Sequence, residues 1–173
     1  SKNLNHYNKN AEAFQKQYLS TSTEEVHKAW LPDYLPTTGV VLDVGAGVGR
    51  DAKYFAKQGL DVIAVEPSEA LLKRGKKHTQ DLAVQWLSDT LPELSHVYAL
   101  QMRFDLIVVS AVWMHIAPTN RERAFRKLAN LLKPNGHLVI SLRHGRNNDE
   151  REMFEVSTDE LNKLSQQFGL SVR

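Results

Sequence analysis

The stretch from Val40 to Asp51, VVLDVGAGVGRD, constrains the fold more than any other part of the chain. Val40, Val41, Leu42 and Val44 make an apolar, largely β-branched run that stops at Gly45, Gly47 and Gly49, and a helix-like pattern follows at once. The segment is therefore strand, tight turn and helix. Glycine lets the backbone take positive φ and lets a second molecule approach the chain, because no Cβ stands in the way. The following helix points unpaired N–H groups back at the turn, a ready site for a ligand.

Composition narrows the class of molecule. With 173 residues, 42% of them hydrophobic, the chain is long enough to bury a core without covalent staples, so one domain over 1–173 is expected. The absence of cysteine excludes disulfides, thiolate nucleophiles and zinc–sulfur sites, and fits a reducing cytoplasm. No metal is assigned. Apolar runs such as 106–109 fall short of the ~20 residues of a membrane span, and no secretory leader is visible. Lys and Arg number 22 against 20 Asp and Glu, a balance that disfavours nucleic acid as a partner. A cytoplasmic protein is expected, with its oligomeric state open. The chain opens on Ser rather than Met, as a processed or trimmed chain would, so its first few residues carry no argument.

Apolar spacing predicts an N-terminal helix over Leu4 to Tyr18. A second opens at Ser22, which forms a capping box with Glu25. Residues 1–38 thus make a helical region ahead of a core at 39–173. In that core, strands are expected at 40–44, 61–65, 84–87, 104–110 and 136–142. Helices are expected from Arg50 to Gln58, from Ser68, in short turns over 91–100, from a Thr119/Glu122 capping box to Leu132, and from Ser157 to Phe168, with a sixth strand starting at Gly169. Alternating strands and helices of this length predict a three-layer, Rossmann-like α/β fold: an open, mostly parallel sheet in the order 3-2-1-4-5. The switch point then lies between the first and fourth strands, with the glycine turn facing Ser110 to His115 across a crevice.

A dinucleotide fingerprint needs a third glycine where Arg50 stands. Asp43 at the floor of the turn suits a cationic group better than a pyrophosphate, and Glu66 ends the second strand where an acid can accept from ribose hydroxyls. A ribose without phosphate, attached to a positively charged group, is the ligand these acids describe. In order, VLDVGAGVGRD, DVIAVEPSE, WLSDTL, FDLIVVSAVWMHI and LLKPNGHLVIS resemble the class I S-adenosylmethionine-dependent methyltransferases over about Val40 to Ser141.

The resemblance implies a cofactor, S-adenosylmethionine, leaving as S-adenosylhomocysteine. It implies that Asp43, Gly45, Ala46 and Gly47 line the methionine part, with Gly49 shaping the turn. Glu66 would hold the ribose hydroxyls and Pro67 would lie near the adenine. Asp89 would accept from the adenine amino group beside Thr90 and Leu91, and Ser110 would offer its carbonyl to the methionine ammonium. The acceptor is expected to be a small molecule. His115 and Tyr7 are the candidate catalytic residues, and Tyr18, Trp113, His115, Arg143 and His144 the candidate substrate-side residues.

Two departures stand out. Ser110-Ala111-Val112-Trp113 replaces the N-P-P-aromatic signature of enzymes that methylate amino groups in nucleic acids, and the sequence ends at Arg173, where the family continues into an antiparallel strand pair. The C-terminal strand pair is therefore expected to be incomplete. A cofactor-binding module without catalysis shares the same motifs and remains the alternative, with a nicotinamide-binding protein a third reading.

Overall fold

A strand covered by helices on both sides must be apolar on both sides. β1 (Val40–Val44) meets that demand: Val40, Leu42 and Val44 enter one core, while Val41 enters the other. The structure, a computed structural model, describes residues 10–142 and 153–172. Among the described residues, α1 (Ala11–Leu19), α2 (Thr23–Val26) and α3 (Leu31–Tyr34) precede β1. Then follow α4 (Arg50–Lys57), β2 (Asp61–Val65), α5 (Glu69–His78), β3 (Val84–Leu87), α6 (Ser95–Ala99), β4 (Phe104–Ser110), a 3-10 turn (Trp113–His115), α7 (Pro118–Asn130), β5 (Leu132–Ser141) and α8 (Thr158–Gln167).

The five strands form one parallel sheet in the order β3-β2-β1-β4-β5, as expected for the Rossmann-like arrangement. On one face Leu94, Phe125, Leu128 and Leu164 bring α6, α7 and α8 against Leu42, Ile107 and Val109. On the other, Leu31, Ala52 and Phe55 bring α3 and α4 against Val41, Val62 and Val108. Gly75 of α5 sits so close to Trp86 that a Cβ would lie 2.2 Å from the ring, so helix and β3 touch directly there. The register places Val44 beside both Val65 and Val109, which brings the carboxyl ends of β1, β2 and β4 level.

The serine caps form as expected: Ser22, Ser68 and Ser157 accept from the backbone N–H groups of Glu25, Leu71 and Glu160. The Thr119/Glu122 box does not form. Pro118 takes the first position of α7 instead, where its missing N–H costs nothing and its fixed φ starts the helix. β5 begins at Leu132, earlier than expected, because a register irregularity between Phe104 and Leu106 lets the strand run past Pro134, with Asn135 at φ 67°. The turns over 91–100 yield only the five residues of α6. Residues 169–172 are not paired as a strand, and β5 is the outer strand among the described residues. No helix among them is long and apolar enough to cross a membrane.

Candidate functional site

The glycine turn and the end of β4 meet as the strand order requires. Gly45, at φ 76°, lies so close to the β4 loop that a Cβ there would stand 2.3 Å from Val112 Cγ2 and 3.9 Å from the Ser110 carbonyl oxygen. Only glycine fits this crossing. The loop itself turns sharply: Ala111 adopts φ 53°, a left-handed conformation costly for a residue with a Cβ, and donates its N–H to the Ser141 carbonyl at 3.0 Å. Gly49 has a different task from Gly45. It precedes α4 at φ 87°, and a Cβ would lie 2.9 Å from the Trp86 ring, so its bareness serves helix-to-strand packing.

Three acids gather beneath this turn. Asp43 is 1% exposed, and its Oδ2 has no hydrogen-bond partner. Burial pushes its carboxyl well above the usual range; Asp51 and Glu66 push the same way, against Arg50. Glu66, at the end of β2, accepts from the N–H of Gly47 at 2.8 Å and of Ser68 at 2.9 Å. Burial nonetheless raises its pKa to about 7, because two neutral donors do not replace the lost hydration of a charge. Asp51 is held low instead. Burial raises it, but the hydrogen bond from His27 and the Arg50 guanidinium outweigh that and bring it to about 2.

His27 and Asp51 form a buried pair that no sequence pattern marks. Asp51 Oδ1 accepts from Thr23 Oγ1 at 2.8 Å and from Arg50 Nε at 2.9 Å, and its Oδ2 lies 2.8 Å from His27 Nε2. Trp30 Nε1 donates to His27 Nδ1 at 3.1 Å. An HxxW pair in a helical segment and an acid after the glycine turn were visible, but nothing in the sequence linked residues 24 apart.

Of the residues expected on the adenine side, Pro67 follows β2, and Asp89, Thr90 and Leu91 follow β3. Asp89 is buried and occupied: Oδ1 accepts from Thr90 N–H at 2.9 Å, and Oδ2 from His96 and Val97 N–H at 2.9 and 3.1 Å, so the carboxylate also starts α6. Leu91 is packed into the core, Thr90 is exposed and Pro67 is half-buried. Ser110 Oγ lies 3.5 Å from His27 Nε2. His115, in the 3-10 turn, is half-buried. Trp113 corrects the expectation of a substrate-side ring: it is fully buried, edge-on to Phe125 at 6.1 Å, because the 3-10 turn points it into the core beneath the loop. Tyr7, Arg143 and His144 lie outside the described residues, as does the side chain of Tyr18. An open groove of about 670 Å³ lies at the opposite end of the sheet, at the amino ends of β1 and β2 between Gly39, Asp61 and Leu82, away from the switch point.

Residues 12–173 match the family model described as a methyltransferase domain. The chain belongs to this family. Among curated relatives, the ubiquinone biosynthesis O-methyltransferase of Bradyrhizobium diazoefficiens is 30% identical over 103 residues, covering 58% of this chain and 38% of its own length. The chain thus spans well under half of that relative. Solved structures share the methyltransferase fold. The 1,6-didemethyltoxoflavin-N1-methyltransferase of Burkholderia thailandensis, solved with 1,6-didemethyltoxoflavin and S-adenosylhomocysteine, superposes with a TM-score of 0.74 at 23% identity, over 95% of this chain and 75% of that one. A TehB-like S-adenosylmethionine-dependent methyltransferase of Corynebacterium glutamicum superposes with a TM-score of 0.65 at 21% identity, over 91% of this chain and 82% of that one.

Proposed function

We propose that the chain binds S-adenosylmethionine at the switch point and transfers its methyl group to a small-molecule acceptor. The observation that carries the reading is Asp43. A buried carboxylate oxygen with no partner within the chain, two residues ahead of a glycine turn, fits a ligand bearing positive charge. When bound, S-adenosylmethionine supplies a methyl group on a positively charged sulfur, so the leaving group is already good.

The chain's own residues then bind, orient and exclude water. Asp43 would hold the methionine ammonium, together with the Ser110 carbonyl that lies near Gly45 beside the left-handed Ala111. Gly45, Ala46 and Gly47 let the ligand lie against the backbone. Glu66 keeps lone pairs beyond its bonds to Gly47 and Ser68, since a carboxylate accepts about four hydrogen bonds, and these receive the ribose hydroxyls. Pro67, Asp89, Thr90 and Leu91 border the adenine. Asp89, with three backbone bonds already, has about one acceptor site left for the amino group.

Helix α1 forms the lid. Its Ala11 packs on Val48 of the glycine turn and Leu71 of α5, and Arg74 donates to Gln15 at 2.6 Å. Orientation within a closed crevice can supply ~7–11 kcal/mol of the barrier. His115 stands in the loop across the crevice and takes the acceptor's proton where the nucleophile carries one, an effect of about 100-fold or more.

The test is acceptor-dependent release of S-adenosylhomocysteine when pools of small metabolites are added with S-adenosylmethionine. His115→Ala should lower kcat and leave cofactor affinity unchanged. Binding without any acceptor-dependent release would favour a module that holds the cofactor without transfer.

A further inference from the structure

His27 is the least explained buried group near the site. Its side chain is fully buried, and it comes from the segment after α2, a helix of four residues. So short a helix has no stability of its own, so its place is set by what it bonds to. What it bonds to is Asp51. The indole N–H of Trp30 can only donate, so His27 Nδ1 is the acceptor at 3.1 Å and the ring proton sits on Nε2. That N–H points at Asp51 Oδ2 at 2.8 Å, with Ser110 Oγ at the end of β4 3.5 Å from the same nitrogen. Both ring nitrogens are engaged within the chain, so His27 is not placed to carry a proton to an acceptor.

We infer that His27 is a positioning residue of the cofactor crevice: its Nε2–H occupies Asp51 within the chain, so that Asp43 presents the open carboxylate to the cationic end of the ligand. The inference rests on the cofactor reading above and adds how the two acids divide their work. Asp51 takes Thr23 and Arg50 on one oxygen and His27 on the other. Asp43 keeps a bare buried oxygen and faces Asp51 and Arg50 from α4 and Glu66 from the residue after β2. Without the His27 donor, Asp51 Oδ2 would lie buried and unpaired, its carboxyl would rise, and two acids rather than one would compete for proton and ligand. The same contact, with the Thr23 bond beside it, fixes α2 and the residue after it to α4.

The experiment measures S-adenosylhomocysteine affinity against pH for the wild type, His27→Gln and His27→Phe, with thermal unfolding of each. Glutamine places an N–H near the Nε2 position; phenylalanine keeps the ring and loses the donor. His27→Phe should bind about tenfold more weakly at neutral pH, with the loss of affinity on acidification starting about one pH unit higher; His27→Gln should stay within about twofold of the wild type with its pH profile. A merely structural role would shift the unfolding temperature without moving the profile. If His27→Phe does not fold, Trp30→Phe carries the test, because it removes the donor that fixes the ring tautomer. It should move the acid limb in the same direction by a smaller amount. A wild-type profile in the phenylalanine variant that folds, or equal impairment of His27→Gln and His27→Phe, overturns the inference while the cofactor reading stands. Failure of the wild type to bind at any pH overturns both.

Discussion

On the cofactor reading proposed above, folding and ligand binding make opposite demands on Glu66. It is 4% exposed, and burial lifts its pKa from 4.5 to about 7 despite two backbone donors. The unfolded chain releases this proton near 4.5, while the folded chain keeps it until about 7. The folded state therefore binds more protons across that window, and stability falls as pH rises through it, levelling off above 7. At about 1.4 kcal/mol per pH unit, the interval corresponds to a loss of about 3 kcal/mol. Glu66→Gln removes the charge and with it this slope. The amide, however, has one carbonyl oxygen for two N–H groups, so either Gly47 or Ser68 loses its acceptor at about 1–3 kcal/mol. The two stability curves should cross: the wild type is firmer at about pH 5, and the variant equal or firmer by up to ~2 kcal/mol at about pH 8. Loss of the charged acceptor for the ribose should weaken S-adenosylhomocysteine binding by about tenfold or more. Urea unfolding at several pH values gives the curves, and calorimetry gives the affinity. A stability difference that does not change with pH would show that Glu66 carries no raised pKa, and a Gln variant that binds as the wild type does would show that its charge does not hold the ligand.

Asp43→Asn removes a buried charge and should raise stability above neutral pH while weakening cofactor binding at least about tenfold; urea midpoints and calorimetry on the same samples check the opposite signs. Gly45→Ala puts a Cβ 2.3 Å from Val112 Cγ2 at a positive φ, and should cost about 2–4 kcal/mol and abolish binding. Adding Val112→Ala should recover the steric share and leave the φ strain, which thermal unfolding of the double variant would reveal. Arg121 is buried in α7, with Nε donating to the Ile116 carbonyl and Nη1 to the Glu155 carbonyl and the Glu160 carboxylate. Arg121→Gln should therefore cost about 3–5 kcal/mol, and hydrogen exchange should rise first in α8.

The features legible in the sequence were those written in local patterns. Four of the five strands keep their expected bounds because continuous apolar runs bounded by turn residues have few alternatives: Val40–Val44, Asp61–Val65, Val84–Leu87 and Phe104–Ser110. The strand order followed from crossover handedness, and the meeting of Gly45 with the Ser110 loop followed from the strand order. Local patterns failed where two of them competed. Pro118 overrode the Thr119 cap, and a β4–β5 register irregularity carried β5 past Pro134. Trp113 could have faced the crevice or the core at its position; Phe125 on α7, twelve residues later, drew it inward. The His27–Asp51 pair was hidden for a related reason. Its partners are joined only through packing of the N-terminal segment on α4, and no spacing rule spans that distance.

On the cofactor reading proposed above, the glycine turn and the end of β4 hold a methyl-donating, ribose-bearing cation rather than a dinucleotide. Calorimetric titration of the purified chain with S-adenosylmethionine, S-adenosylhomocysteine and the nicotinamide dinucleotides tests it most directly. The first two should each bind with one molecule per chain, Asp43→Asn and Glu66→Gln should weaken both, and the dinucleotides should give no heat. Binding of a dinucleotide in place of the two sulfur compounds, or of none of these ligands, would contradict that reading.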